Sequence, residues 1–190
     1  MDRWAAGKIY LPCTAMRTED AIQFIRHQEL TLSGPSNWAD LGCGSGTFTT
    51  ALAHYLQAGS LIYAVDQKLA ANLKIPVPAG IQVKTLELDF VKDEWPFAQL
   101  DGIVLGNALH YVKDQSAFME KIERYLKPEG KLLIVEYNTD RPVPTWVPYP
   151  LSYHSLEKLF KTRGYNHIEM IAERSSVYGN ANLYTAIIRK

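Results

Sequence analysis

Asp40, Gly42, Gly44 and Gly46 stand at alternate positions in the run Asp40-Leu41-Gly42-Cys43-Gly44-Ser45-Gly46. Glycine permits positive φ and lets a ligand come close to the backbone. A short strand into this run and a helix after it would turn free N–H groups and a partial positive charge toward the glycines. In doubly wound sheets, ligands bind where the strands end. A nucleotide-like ligand is therefore expected here. A dinucleotide fingerprint places its glycines first, third and sixth. Here Thr47 holds the sixth position and the third glycine falls one residue early, at Gly46. No Gly-Lys-Ser/Thr follows, so the triphosphate-binding loop pattern fails as well. The carboxylate of Asp40, set just before the glycines, is awkward for a pyrophosphate and suits a cationic amino group.

Two further aspartates fall at the ends of predicted strands, Asp66 and Asp89. A carboxylate can accept two hydrogen bonds from a cis-diol, a geometry that neutral side chains match less well. Any one of these acids alone would read as a solvated loop carboxylate or a helix cap. Recurrence at three strand ends points instead to a shared ligand.

In this arrangement the sequence resembles the class I S-adenosylmethionine (SAM)-dependent methyltransferases. Their first motif, an acidic residue followed by Gly-x-Gly-x-Gly, is matched at each fixed position from Asp40 to Gly46. Asp66 matches the family's acid for the ribose hydroxyls, with Gln67 beside it, and Asp89 matches the residue at the adenine amino group, with Phe90 beside it. The stretch Asp101 to Tyr111 looks like the fourth-strand motif of small-molecule methyltransferases, and Leu126 to Val135 like the family's approach to strand five. The likeness covers roughly Trp38 to Tyr165. It implies SAM as cofactor, S-adenosylhomocysteine (SAH) as product, and cofactor contacts at Asp40, Gly42, Cys43, Gly44, Gly46, Asp66, Gln67, Asp89, Phe90 and Asn107. Asn107 would offer its backbone carbonyl to the methionine part. A sulfonium cation is favoured by nearby carboxylates, carbonyls and aromatic faces.

Methyl transfer from a sulfonium asks the protein to position a nucleophile and to remove a proton where one must go. His110, after the fourth strand, is the candidate general base, its class titrating near neutral pH; the alternative is a histidine packed on the following helix. Tyr111 is a second candidate, or a wall of the pocket. The run Asn107-Ala108-Leu109-His110 departs from the Asn/Asp-Pro-Pro-Tyr motif of amino-directed nucleic-acid and protein enzymes, which disfavours that chemistry. Pro12-Cys13 resembles the Pro-Cys pair of cytosine C5 enzymes but lies near the N-terminus, so Cys13 reads as structural or incidental and Cys43 as a small residue in the turn. Two segments are expected to shape the acceptor site. Trp4 to Arg17 would close over the cofactor with Tyr10 and Arg17. Arg141 to Tyr153 carries Trp146 and Tyr149 among several prolines, as a stiff apolar wall or as a surface loop stapled by Trp146.

These residues need a scaffold, and the pattern supplies one: strands alternate with helices, as in a parallel sheet covered on both faces. Helices are expected over Thr18 to Leu32 (N-cap Thr18), Phe48 to Gln57, Gln115 to Leu126 and Ser152 to Arg163, with a brief one over Gln67 to Leu73. Strands are expected over Ser36 to Leu41, Ser60 to Val65, Ile81 to Leu86, Leu100 to Leu105 and Lys131 to Tyr137, then His167 to Arg174 and Leu183 to Arg189 as a hairpin. The fold class is a doubly wound, Rossmann-like, mostly parallel seven-stranded sheet with a C-terminal antiparallel strand. Residues 1–35 would form an N-terminal segment over the cofactor site and 36–190 the SAM-binding domain, one domain overall.

Composition sets the outer limits. The 190 residues carry 20 Lys+Arg against 20 Asp+Glu, a net charge of zero. Nothing in that balance attracts nucleic acid or anionic lipid in general. The two cysteines show no metal-ligand spacing, and no apolar run suggests a secretory signal or a membrane span. A soluble, cytoplasmic enzyme with a small-molecule acceptor is expected. The competing readings are a non-catalytic module that binds SAM or another adenosine ligand for a partner protein, and an NAD-dependent oxidoreductase, against which Thr47 argues.

Overall fold

The computed structural model describes residues 16–31, 33–143, 145–176 and 181–190. Its centre is a seven-stranded sheet. The strands are β1 (Asn37–Leu41), β2 (Leu61–Asp66), β3 (Gln82–Glu87), β4 (Leu100–Gly106), β5 (Leu126–Tyr137), β6 (His167–Ser175) and β7 (Asn182–Arg189). Their order is β3-β2-β1-β4-β5-β7-β6. The first five are parallel, and β7 runs antiparallel to both β5 and β6. The expected fold class is the one observed. β4 and the Leu132–Glu136 stretch of β5 are almost wholly buried because they lie centrally, which is why they read as largely apolar runs.

Four α-helices cover the sheet: α1 (Thr18–Phe24), α2 (Thr47–Ala53), α3 (Gln115–Tyr125) and α4 (Tyr153–Lys161). One apolar cluster joins Trp38 and Val104 to Phe24, Ile25, Phe48 and Leu52. The other joins Ile103 and Leu105 to Trp95, Phe118, Phe160 and Tyr184. The expected N-terminal segment 1–35 thus contributes α1 to one core face, where Tyr55 also donates to the Ile22 carbonyl at 2.6 Å. No helix among the described residues is long and apolar enough to cross a membrane.

Several local expectations are corrected. α1 ends at Phe24, and the chain resumes as a single 3-10 turn, Gln28–Leu30. His27 has extended backbone (φ −150°, ψ 145°), and its ring accepts from the Glu29 N–H, so a continuous helix cannot pass through it. Thr18 is the first helical residue, and Arg17 holds the N-cap position. No helix forms over residues 67–73. The N–H of Lys68 goes to Asp66 and that of Leu69 to Glu87, and the chain then closes only a single turn, Leu73 N–H to the Ala70 carbonyl. β5 begins at Leu126 instead of Lys131: Leu126 pairs with Leu100, and a register shift before Gly102 absorbs Pro128 and Gly130. Ser152 caps α4 as expected, accepting from the Ser155 N–H.

Candidate functional site

The C-terminal ends of β1, β2, β3, β4 and β5 point the same way, and two cavities open there. The larger, about 1020 Å³, is walled by the glycine turn after β1, the turn after β4 and the loop after β5. The smaller, about 450 Å³, is walled by residues following β2, β3 and β4. Gly42, Asn107 and Tyr111 belong to both walls.

The glycine turn holds together through β2. Gly42 and Cys43 donate to the Val65 carbonyl at 2.8 and 2.9 Å, and Gly44 donates to Asp66 Oδ2 at 2.9 Å. Gly46 occupies the N-cap of α2 with φ 85°, and a Cβ there would meet Ile75 Cγ1 at 2.6 Å. Gly44 also has positive φ, but a Cβ there would meet nothing within 4 Å; that open cradle is where a ligand can approach the backbone. Gly42, Cys43 and Gly44 line the larger cavity, whereas Gly46 lines neither. Cys43 is a poor nucleophile, since burial pushes its thiol up to about 12.

Asp40 lies beneath the turn, 1% exposed, outside both cavity walls. Its Oδ2 accepts from the Thr49 hydroxyl at 2.6 Å, while Oδ1 is buried with no partner among the described residues. Burial raises its pKa to about 6 despite the Thr49 bond. Asn107 has φ 54°, its N–H goes to the Val135 carbonyl, and its Oδ1 is likewise buried and unpartnered.

Asp66, Gln67, Asp89 and Phe90 come together around the smaller cavity. The loop bearing Asp89 is tied down. Its Oδ1 accepts from the Val91 and Lys92 N–H groups and its Oδ2 pairs with Lys92 Nζ at 2.9 Å. Burial alone would raise this carboxyl, but those bonds hold it below the usual range. Lys121 reaches over from α3, packs over the Trp95 ring and donates to the carbonyls of Val91 and Asp93.

His110 lines the larger cavity and is 2% exposed. Its partner, Glu136, is wholly buried near the end of β5. His110 Nδ1 lies 2.7 Å from Glu136 Oε2, and the His110 backbone N–H donates to Oε1 at 3.1 Å. An ionised carboxylate only accepts, so facing it Nδ1 carries a proton, and in the neutral ring that makes Nε2 the acceptor. Sequence reasoning missed Glu136; the available signal was one acid inside an otherwise apolar strand. The Tyr111 ring lies tilted against His110 at a centroid distance of 4.3 Å and is 56% exposed, the posture of a cavity wall.

The remaining expectations divide. Trp146 is in the larger wall. Tyr149 lines neither cavity; its backbone N–H donates to the His110 carbonyl and its carbonyl accepts from Gln115, so it fastens the loop to the turn after β4. Arg17 points to Asp20 with two bonds of 3.0 Å and lines neither cavity. Tyr10 and Cys13 lie outside the described residues. The loop after β5 folds on itself through paired Val143 and Val147 backbones. Among the described residues no group of three or more His, Cys, Asp or Glu could hold a metal.

A family model for the methyltransferase domain matches residues 39–134. A 2-phytyl-1,4-naphthoquinone methyltransferase of Nostoc punctiforme is 29% identical over 107 residues, 52% of this chain and 45% of the relative. The chain spans about half the length of the curated relatives it matches. Among solved structures, a SAM-dependent methyltransferase from Aquifex aeolicus superposes with a TM-score of 0.59 at 19% identity, covering 90% of this chain and 89% of that one. A 1,6-didemethyltoxoflavin N1-methyltransferase from Burkholderia thailandensis, solved with its acceptor and SAH bound, gives a TM-score of 0.63 at 16% identity, over 91% and 78% of the two chains.

Proposed function

The chain belongs to the methyltransferase domain family, and on that premise we propose that it transfers the methyl group of SAM to a small organic acceptor, with His110 as general base. The observation that carries this reading is the buried His110–Glu136 pair, whose His110 is set in the wall of the cavity that the glycine turn also lines. The named relatives act on a phytylated naphthoquinone and on 1,6-didemethyltoxoflavin, which supports an acceptor of that general kind.

The residues present fit the cofactor. Asp40 Oδ1 and Asn107 Oδ1 are buried acceptors without donors, which suits an ammonium-bearing methionine end, and Gly44 leaves room at the backbone. Asp66, Gln67, Asp89 and Phe90 would hold the ribose and adenine around the smaller cavity. When bound, SAM supplies a methyl group on a sulfonium, whose departing thioether needs no proton. The protein's chemical task is then confined to the acceptor. Glu136 fixes the His110 tautomer, and Nε2 receives the acceptor's proton as its heteroatom or carbanion takes the methyl group. Phe48, Tyr111, Val147 and Trp146 give the cavity apolar walls that exclude water from the exchange.

Calorimetric titration with SAH, followed by transfer of a radiolabelled methyl group to an acceptor panel, tests the proposal. One SAH per chain and turnover that collapses in His110→Asn with SAH affinity kept are expected. A folded chain that does not bind SAH would refute the methyltransferase reading, and full turnover by His110→Asn would refute the base.

A further inference from the structure

Arg141 is the only Arg, Lys, Asp or Glu among the described residues lining the larger cavity. Its backbone N–H is used by Thr139 Oγ1, but its guanidinium makes no ion pair or hydrogen bond among the described residues. The acid next to it is already committed: Asp140 accepts from the Ser152 N–H, the Ser152 hydroxyl and the Ser155 hydroxyl. The cavity thus presents one cation with five potential donors and no protein acceptor.

Position in the sheet says which ligand this cation meets. Asp66 ends β2 and Asp89 follows β3, on one side of the glycine turn after β1. Arg141 follows β5, on the other side and two strands from β1, a separation of roughly 10 Å at ordinary strand spacing. His110 follows β4 and Glu136 lies near the end of β5, between the turn and Arg141. A cofactor laid over β3, β2 and β1 leaves Arg141 at the far end of the acceptor space.

The surroundings are apolar. Pro142, Val143, Trp146 and Val147 accompany Arg141 in the wall. Of the exposed large hydrophobics among the described residues, Tyr111, Val143 and Trp146 line this cavity and Tyr149 sits on the same loop as Trp146, while Val91 lines the smaller cavity. Apolar surface gathered around one mouth marks a place where an apolar body is to be covered.

Resting on the methyltransferase reading above, we propose that Arg141 determines acceptor specificity, selecting molecules with a planar apolar body and an ionised acidic group, such as a carboxylate, remote from the accepting atom. The guanidinium takes that anion, the apolar loop takes the body, and His110 meets the atom to be methylated.

The test uses the full chain saturated with SAH and two fluorescent probes, a hydroxynaphthoic acid and its carboxamide. The acid is expected to bind at least about tenfold tighter than the amide, the scale of one charge-assisted hydrogen bond. Arg141→Met should erase that preference while leaving amide and SAH affinities as in the wild type, and Arg141→Lys should keep part of it. Equal wild-type affinities, no binding of the acid, or a loss of SAH affinity in place of acid affinity in Arg141→Met would each overturn the assignment. The prior SAH titration separates the two readings: a chain that binds SAH but does not prefer the acid sinks only the role of Arg141.

Discussion

Replacing Asp40 by Asn tests whether the acid before the glycines is a cost to the empty fold that the ligand offsets. Its carboxyl is raised from 3.8 to about 6 by burial, with the Thr49 hydroxyl pulling the other way. That rise corresponds to about 3 kcal/mol favouring the neutral form in the folded state. Between these pH values the native chain binds more protons than the unfolded one, so stability falls as pH rises from about 4 to above 6. At pH 7 the full cost is borne. Asn cannot ionise, and its carbonyl can still accept from Thr49, but its amide hydrogens would be unpaired where Oδ1 now lies, costing about 1–3 kcal/mol at every pH. Absolute stability at one pH is therefore a poor test, and the slope is the good one. Urea unfolding of the ligand-free proteins at intervals from pH 4 to pH 8 should show wild-type stability minus Asp40→Asn stability dropping by about 3 kcal/mol, then levelling. A constant difference across that range would refute the reasoning.

The same substitution separates a structural acid from a binding one. An ammonium group held against Asp40 would keep it ionised. SAH binding to the wild type near pH 5.5 should then release a proton, seen as a dependence of the calorimetric heat on buffer ionisation enthalpy. Asp40→Asn should release none and should bind SAH roughly tenfold or more weakly, the scale of a lost charge-assisted bond.

Glu136→Gln keeps the shape but presents an amide N–H or a carbonyl to His110; with its carbonyl holding the His110 backbone N–H, its NH₂ faces Nδ1 and forces the proton to Nε2. Turnover should fall by about 10²–10⁴ with SAH affinity unchanged, measured by steady-state kinetics and calorimetry. Gly46→Ala puts a Cβ 2.6 Å from Ile75 Cγ1 at φ 85° and should lose about 2–4 kcal/mol in urea unfolding. Gly44→Ala, at φ 53° with nothing within 4 Å, should lose only about 1–2 kcal/mol; equal losses would contradict the packing account. Lys121→Met frees the carbonyls of Val91 and Asp93 and should weaken SAH binding while transfer at saturating cofactor is kept; an unchanged SAH affinity would show that the Asp89 loop holds without it.

The sheet was legible because a buried parallel strand writes itself as an apolar run, and because glycine, proline and aspartate punctuate the strand ends. The glycine turn, Asp66, Asp89 and the late hairpin all followed from that. What escaped were features set by distant partners. A helix over Gln67 to Leu73 fits local propensity, yet carboxylates at the ends of β2 and β3 pin Lys68 and Leu69, and only one turn, Leu73 N–H to the Ala70 carbonyl, closes after them. Pro128 and Gly130 look like breakers before a strand, yet pairing of Leu126 with Leu100 carries β5 through them. Arg17 sits at the right place to close over a ligand, but Asp20, one turn on, holds it. His110 could be singled out as a base, whereas Glu136, 26 residues away, is its partner only because β4 and β5 are neighbours.

Four Asp, Glu, Lys or His residues are buried among the described residues: Asp40, His110, Lys121 and Glu136. Desolvating an ionisable group costs several kcal/mol, and an apolar substitute is often the more stable choice. A fold selected for stability alone would not retain four of them. Their places explain the retention. Asp40 lies under the glycine turn, Lys121 fastens the loop of Asp89, and His110, held by Glu136, lines the larger cavity. Each part of the proposed site thus has its own buried ionisable group, while the rest of the buried interior is apolar apart from Ser36, Thr49, Ser60 and Thr185. Thr49 is bound to Asp40, so even that hydroxyl belongs to the site. Under the proposed roles the costly residues and the functional ones coincide, so stability measurements on their isosteric variants, with and without SAH, test those roles alongside turnover.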